Sequence, residues 1–579
     1  MTQLLTSKKM NRIYIKKSLC LIGTLAFLLV SQSCKDVLEE KVISAIGNDY
    51  VNTPKGFEDA TRASYAPLRS FYATQQGLTM TEFGTDLYAT GSDGSYKGFH
   101  FYDTQLNSFV DILQGVWEEL YRGINTCNAV IERAPAATGI SDALKKQRVA
   151  EVKFLRAHYY FILVQQWGGV DLRLTETLGP TKKTSRATEA DIYKAILSDL
   201  ESALPDLENK ARSSDYGRAT KAAAEHLLAR VYLTKATSSA KAADDYAKAA
   251  TYAQNVIANY GFKLLSDFAS VFAQGAGEIN DEVVFSVQYT SDPLTNAASS
   301  PLASSGGNTG GNNLHLFFGM QYDTQAGMVR DIFYGRPFRR LRPTTYALET
   351  VFKDRVNDSR YKKSFRDTWL SNNPGTFNTA FDKSKSTVTF KAGDTAIFIP
   401  GYEMSLAERA KKPYQVLVPS AYTETLFLPL LKFFDPLRPD RTYEPGSRDY
   451  LAFRLAETYL ILAEAQIKQG KTTEGAAAIN TVRRRAAWQG KETSMEIKPA
   501  DATMDFLMEE RGRELMGEQM RWMDLKRWGN LVERVKLYNP QGAANVKETN
   551  NLRPIPQTQI DRTEKNADGS PGFPQNPGY

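Results

Sequence analysis

The chain's whole supply of histidine is four residues, at positions 100, 158, 226 and 315. No two of them stand at the spacing that lets neighbouring positions share a zinc ion. The sequence has no glycine-rich phosphate loop and no Gly-x-Ser-x-Gly nucleophile turn. His158 and His226 fall inside helical patterns without a catalytic partner, which predicts structural roles. The densest acid–base cluster is Glu509, Glu510, Arg511, Glu514, Glu518, Arg521 and Asp524. Helical spacing would put Glu510, Glu514 and Glu518 on one face, with Arg511, Arg513, Arg521 and Arg527 as counter-charges. A glycosidase needs two carboxylates facing each other across a cleft. Here each acid has an arginine within helical reach, so the cluster reads as an ion-pair network. We therefore expect no catalytic residue, no metal and no cofactor, and the chain does not read as an enzyme.

Aromatic side chains, 11% of residues, are the remaining chemical resource. Most fall on helical stripes, but two groups do not. In the first, Asp86, Tyr88, Tyr96, Phe99 and Phe101 are interleaved with Gly91, Gly94 and Gly98. In the second, Phe317, Phe318 and Tyr322 follow a Ser/Gly/Asn-rich stretch from about 290 to 313, and long loops of this kind are often functional. Rings on loops can stack on the apolar face of a sugar while neighbouring polar groups bond its hydroxyls. These eight residues are the candidate ligand contacts, with Asp86 as the hydroxyl partner. The competing reading is that the rings pin their loops to the body.

The elements that must carry these loops are mainly helices. Trp117 to Arg133 reads as one helix. Ala150, Phe154, Ala157, Phe161 and Val164 line the next, which ends at Gly168-Gly169. Ala224, Leu228 and Val231 face Tyr246, Ala249, Ala250, Ala253 and Ile257 in an antiparallel pair. A second pair sets Ala456, Leu460, Ala463 and Ile467 against Ala476, Ile479, Val482 and Ala486 across Gly470. Small facing residues with a glycine turn are the signature of degenerate tetratricopeptide-like pairs. Strand signals are few: Glu282–Tyr289, and Thr387–Phe390 with Ile397–Ile399 as a hairpin across Gly393-Asp394. The fold class expected is all-α, mainly helical with a few short strands.

The N-terminus carries Lys8, Lys9, Arg12, Lys16 and Lys17 without an acid, then an apolar run from Leu19 to Val30, the pattern of an export signal. That run of 12 residues is too short to span a bilayer, which takes about 20. Ser31-Gln32-Ser33-Cys34 resembles the lipobox of bacterial lipoproteins, with Ser31 where leucine is usual. We expect residues 1–33 to be a lipoprotein signal peptide. Cys34 would be the lipidated residue and 34–45 a charged tether. A diacylated cysteine supplies the two chains that stable anchoring needs. Loss of the signal removes five basic residues and no acidic one, so the net charge of +7 falls to +2. A near-neutral chain without a long basic run gives no reason to expect nucleic acid as a partner. Cys20 leaves with the signal and Cys34 is lipidated, so Cys127 has no disulfide partner. With no composition shift to mark a linker, residues 34–579 are expected to form one ligand-binding domain.

A set of ordered motifs spans this domain. The tether Ser33-Cys34-Lys35-Asp36-Val37-Leu38-Glu39-Glu40-Lys41 is followed by the Trp-x3-Tyr-x2-Ile-x2-Cys-Asn spacing from Trp117. Next come the segment from Glu151 to Phe161 and Gly217-Arg218-Ala219-Thr220-Lys221-Ala222-Ala223. The second half holds Arg454 to Leu460 with Ala463-Glu464-Ala465, then Asn480 to Ala486, Arg521 to Trp528, and the terminal Gln575-Asn576-Pro577-Gly578-Tyr579. Together they resemble the SusD/RagB family of nutrient-binding lipoproteins, with about 320–579 as its C-terminal region. Asp171 stands where that family usually has proline. The resemblance implies a SusD-like fold of tetratricopeptide-like pairs on the outer face of the outer membrane. It implies a non-enzymatic lipoprotein that captures an oligosaccharide as the lid of a SusC-like TonB-dependent transporter. It also implies that the ligand site lies on variable loops outside the helix pairs. The alternative it leaves open is a RagB-like peptide binder, or a structural lid whose specificity resides in the transporter.

Overall fold

The computed structural model describes residues 48–579 apart from 94, 212 and 293–310. Cys34, the tether, Gly94 and most of the Ser/Gly-rich stretch therefore lie outside the described residues. With 46% helix against 8% strand the protein is mainly helical, as the periodicity predicts. The principal helices are α1 (Pro54–Ala63), α2 (Gln75–Glu82), α3 (Asp111–Arg133), α4 (Asp142–Trp167), α5 (Glu189–Ala203), α6 (Lys221–Lys235) and α7 (Asp245–Asn259). They continue with α8 (Leu455–Lys468), α9 (Thr472–Ala486), α10 (Met504–Leu515), α11 (Arg521–Arg527) and α12 (Leu531–Tyr538).

Their starts are chemically marked. The side chains of Thr53, Thr74, Ser141, Thr188, Thr220 and Thr503 each accept an N–H from the first turn of the helix they precede, which satisfies a donor the helix itself leaves open. Helix α4 stops at Gly168, whose φ of 72° suits glycine. Helix α3 begins at Asp111, six residues before Trp117. Successive helices pack as antiparallel pairs, α3 on α4, α6 on α7 and α8 on α9. Helix α7 also lies against α8, so the N-terminal pairs and the C-terminal pair form one stack. The seam is aromatic. Phe453 stacks on His226 and His158 with ring centroids 4.6 and 5.3 Å apart, and Phe285 lies 5.5 Å away.

The strands are short. β1 (Tyr88–Thr90) pairs antiparallel with β3 (Leu341–Pro343), and β2 (Val283–Val287) with β9 (Tyr450–Arg454). β4 (Thr368–Leu370), β7 (Thr395–Phe398) and β8 (Gln415–Val416) form one sheet, and β5 (Gly375–Asn378) pairs with β6 (Thr387–Phe390). The expected hairpin between Thr387–Phe390 and Ile397–Ile399 does not form. β6 pairs with β5 and β7 with β4, because Ser371 exchanges backbone hydrogen bonds with Gly393 and Asp394 and carries the chain from one sheet to the other.

Candidate functional site

The acidic cluster on α10 is a buried network; Arg513 pairs with Glu510 and Glu509 within the helix, as its spacing predicts, and the other partners come from distant segments. Glu514 meets Arg454 at 2.7 Å, Arg360 at 3.0 Å, and Arg485. Glu510 meets Arg360, Arg483 and Arg513 at 2.8–2.9 Å. Helix α10 ends at Leu515, so Glu518 sits in the following turn, where it pairs with Arg454 and Lys432. Burial pushes the Glu510 and Glu514 carboxyls up, but the surrounding guanidiniums outweigh it. They hold Glu514 at about 2, and Glu510 well below the usual carboxylate range. Carboxylates this firmly ionised and enclosed have no proton to donate to a substrate and no access to one. Among the described residues no group of His, Cys, Asp or Glu is placed to hold a metal ion, and no helix is long and apolar enough to cross a membrane.

The two aromatic groups are brought together by a third segment. β1 lies on one side of β3, at the end of an extended segment that starts at Arg336. On the other side of that segment Phe338 N–H and Arg340 N–H donate to the carbonyls of Leu316 and Phe317 at 2.7 and 3.0 Å. Tyr88 and Phe318 approach within 5.6 Å.

Six of the eight predicted ligand contacts nevertheless face inward. Tyr88, Phe99, Phe317, Phe318 and Tyr322 are each 2% exposed or less and fill the core beneath the junction, while the Tyr322 hydroxyl donates to Gly335 O at 2.6 Å. Asp86 is fully buried, bonded by Arg521 at 2.7–2.8 Å and by Arg534 at 2.9 Å. Those two guanidiniums overcome burial and lower its pKa, so its oxygens are occupied. The physical reason for the correction is that glycine interleaving opens the backbone without saying which way a ring turns, and large rings gain most by turning inward. Phe101 is half-buried on the turn Gly98–Phe101. Tyr96 is half-buried with its hydroxyl 3.3 Å from Asp111, and burial together with that carboxylate raises it to about 12.

What lies at the surface of the junction is a different set. Gly91 and Asp93 N–H donate to the carbonyls of Arg340 and Arg339, and Ser92 N–H to Glu424 O, at 2.9–3.3 Å. A Cβ on Gly91 would stand 1.9 Å from Arg339 O, so only glycine permits this approach. Arg339 Nε donates to Ser92 Oγ at 2.8 Å and Arg340 Nε to Asp93 Oδ2 at 3.1 Å. The half-buried ring of Phe338 sits between the guanidiniums of Arg336 and Arg340, 4.9 and 5.1 Å from its centroid. Arg342 Nε makes no hydrogen bond within the described residues. Burial lowers the Arg342 pKa, against the opposing charge of Glu424.

Tyr96 and Arg339 both hold left-handed backbone, φ 56° and 53°, which costs a non-glycine residue about 1–2 kcal/mol and gathers at functional sites. The result is a ring flanked by arginine, carboxylate and hydroxyl groups on a backbone fixed from three sides. Such an arrangement can stack a sugar face and bond its hydroxyls. Sequence reasoning missed Phe338, Arg339 and Arg340. The run Arg336-Pro337-Phe338-Arg339-Arg340 was the available signal.

Comparison with known proteins agrees with this architecture. The SusD family model matches residues 281–579, and a second model, described as starch-binding associating with outer membrane, matches 64–233. A SusD-like protein of Bacteroides ovatus is 29% identical over 48% of this chain and 50% of its own length. SusD-like protein P2 of Formosa agariphila is 25% identical over 96% of this chain and 99% of its own. Among solved structures, a laminarin binding SusD-like protein superposes with a TM-score of 0.67 at 21% identity, covering 91% of this chain and all of that one. With the family model matched over more than half of its residues, and with the paired helices and strand junction described above, the chain belongs to the SusD family.

Proposed function

We propose that this protein is a surface glycan-binding lipoprotein, held to the outer membrane through lipid on Cys34 after loss of residues 1–33. In this reading residues 34–579 act as one domain, the lid of a SusC-like TonB-dependent transporter in nutrient uptake. The oligosaccharide docks at the junction of Gly91–Asp93 and Tyr96 with the extended segment from Arg336 to Arg342 and with Glu424. The observation that carries the reading is Phe338, a ring left half-exposed between two guanidiniums where two left-handed residues hold polar side chains around it. Family membership and a structural neighbour named for laminarin binding support it. Of the residues expected from sequence, Tyr96 remains a contact in this proposal, and Phe338, Ser92, Asp93 and Arg339 join it.

Isothermal titration of the 34–579 domain against plant, fungal and host oligosaccharides tests the proposal. At least one should bind, and Phe338→Ala should weaken it about tenfold, the loss expected of a stacked ring. A flat panel with preserved transporter-dependent uptake would point instead to a lid without its own ligand, and selective binding of peptides to a RagB-like role.

A further inference from the structure

A second cluster of rings and guanidiniums lies around Arg366, where Phe333 and Tyr334, a few residues before Arg336, meet Phe434. The Arg366 guanidinium is packed against these three aromatic rings, 4.6 Å from the Phe434 centroid, 5.1 Å from Tyr334 and 5.3 Å from Phe333. Within the described residues its side chain makes no hydrogen bond and no ion pair, although the backbone N–H donates to Pro429 O. Most buried arginines around it in the fold are paired: Arg360, Arg454, Arg485, Arg521, Arg527 and Arg534 each meet a carboxylate. The two acids that bear on it are engaged elsewhere: Asp331 accepts from Tyr334 N–H at 2.7 Å and from Asn372 Nδ2 at 2.6 Å, and Asp367 pairs with Lys362. Burial lowers the pKa of this half-buried arginine, against the opposing pull of Tyr334, Tyr322, Asp331 and Asp367.

A second group points the same way. Arg438 is 4% exposed. Its Nε and Nη1 donate to the carbonyls of Asp435 and Tyr443, while Nη2 has no partner. Nη2 and the edge of the Phe434 ring both lie within 4 Å of the site a Cβ on Gly335 would occupy, so the free donors of Arg438 sit at the rim of the Arg366 cage. A cavity of about 30 Å³ is lined by Arg366, Tyr322, Tyr334, Trp369 and Phe434. This exceeds the space one water needs. Phe333, against which the Arg366 guanidinium also packs, is 54% exposed and stands nearly perpendicular to Phe434.

We propose that Arg366 and Arg438 form an anion subsite for an acidic sugar, a residue bearing a carboxylate or a sulfate ester. The anionic group enters the cage while the sugar ring lies on Phe333. A guanidinium offers paired N–H donors in the geometry of a carboxylate or sulfate edge, and the three rings hold it in place. The inference deepens the glycan-binding proposal and rests on it.

The test is titration of the 34–579 domain with trigalacturonate, with a sulfated disaccharide and with a neutral glucan hexasaccharide, repeated for Arg366→Gln and Phe333→Ala. The expected result is that one acidic probe binds, the two acidic arms telling carboxylate from sulfate. Arg366→Gln should weaken it about tenfold or more, the range for a hydrogen bond to a charged group, with any neutral ligand unaffected. Because Phe333 is exposed, Phe333→Ala leaves the fold intact and should weaken the same probe. Melting temperature gives a second readout: Arg366→Met should match or exceed wild type, since an unpaired buried cation does not hold the fold together. Neutral binding with no response to either acidic probe overturns the subsite and leaves the glycan-binding proposal standing. No saccharide binding at all overturns both. Equal affinity of Arg366→Gln and wild type for an acidic probe, or a marked drop in melting temperature for Arg366→Met, also overturns the subsite.

Discussion

Replacing Glu514 by glutamine removes one negative charge from the middle of three guanidiniums while preserving side-chain volume. In the native protein its two oxygens face Arg360, Arg454 and Arg485, and all four side chains are buried. A carboxyl held at about 2 in the folded chain, against an ordinary value of 4.5, contributes about 3 kcal/mol to stability at neutral pH. The sign follows from the depressed value: the contribution is fully present above pH 4.5 and is lost as the pH falls through 2. An independent estimate agrees, since breaking a buried ion pair from one side costs about 3–5 kcal/mol. The amide would also turn an N–H₂ group toward cations that have only donors to offer. Urea unfolding followed by far-UV circular dichroism should therefore show Glu514→Gln less stable than wild type by about 3–5 kcal/mol at pH 7. At pH 3 the difference should shrink to about 1 kcal/mol, because the carboxyl is by then almost wholly protonated in the unfolded chain while still mostly ionised in the folded one. A deficit below about 1 kcal/mol at pH 7 would show that the arginines re-pair without Glu514. A deficit unchanged at pH 3 would show that its cause is shape rather than charge. Either result refutes the reasoning.

Two other substitutions read the structure from different sides. Burial pushes Glu82 up to about 8 against the hydrogen bonds from Met520 and Arg521 N–H, so the folded state is penalised as the pH rises from 4.5 through 8. Glu82→Gln keeps an accepting oxygen and should gain on the order of 3 kcal/mol over wild type at pH 8, a gain that disappears near pH 4.5 in the same unfolding assay. Arg339→Gly removes the cost of a φ of 53° and should raise stability by up to about 1 kcal/mol while weakening oligosaccharide binding; a less stable variant would show that the Arg339 side chain holds the junction together.

The helices were legible because the main ones carry an apolar stripe and a breaker, and half of them a Ser or Thr cap. Ala150 to Val164, Thr220 before α6 and Gly470 between α8 and α9 are examples. β9 was hidden because Tyr450–Arg454 runs directly into α8, with Arg454 ending the strand and preceding the helix. A short apolar run beside a helix does not reveal its period. The pairing of β6 and β7 was misread because local hairpin logic assumes that neighbouring strands meet, whereas here each is bonded to a strand earlier in the chain. The ion-pair network was legible in kind but not in wiring. Helical spacing suggested partners three and four residues away, and low-dielectric burial recruited Arg360, Arg454 and Arg485 from far along the chain. The candidate site was legible only as a neighbourhood. The two ring clusters do meet, but residues that meet in the interior cannot also face a ligand, and the strand between them supplies the exposed face.

That division of labour follows from what each part must do. A ring platform flanked by left-handed residues persists only if the surrounding structure fixes it more tightly than its own strain pulls it apart. β1 is fixed from the far end of the chain: Asn539 Nδ2 donates to the carbonyls of Thr85 and Tyr88 at 2.9 and 3.0 Å, and Thr90 N–H donates to Gln541 Oε1 at 2.8 Å. Asp86 is clamped by arginines of α11 and α12. The buried carboxylates of α10 and of the turn that follows it pin Arg360, Lys432 and Arg454, which bracket most of the strand-rich half. The charged residues that first suggest catalysis thus act as fasteners. They have little freedom left to lose when a ligand arrives, so the ordering cost of binding falls on the few half-exposed side chains at the junction. A site built this way can change its ligand by substitution at Ser92, Tyr96, Phe338 or Arg339 without disturbing the fold, because none of the four belongs to the network that holds it.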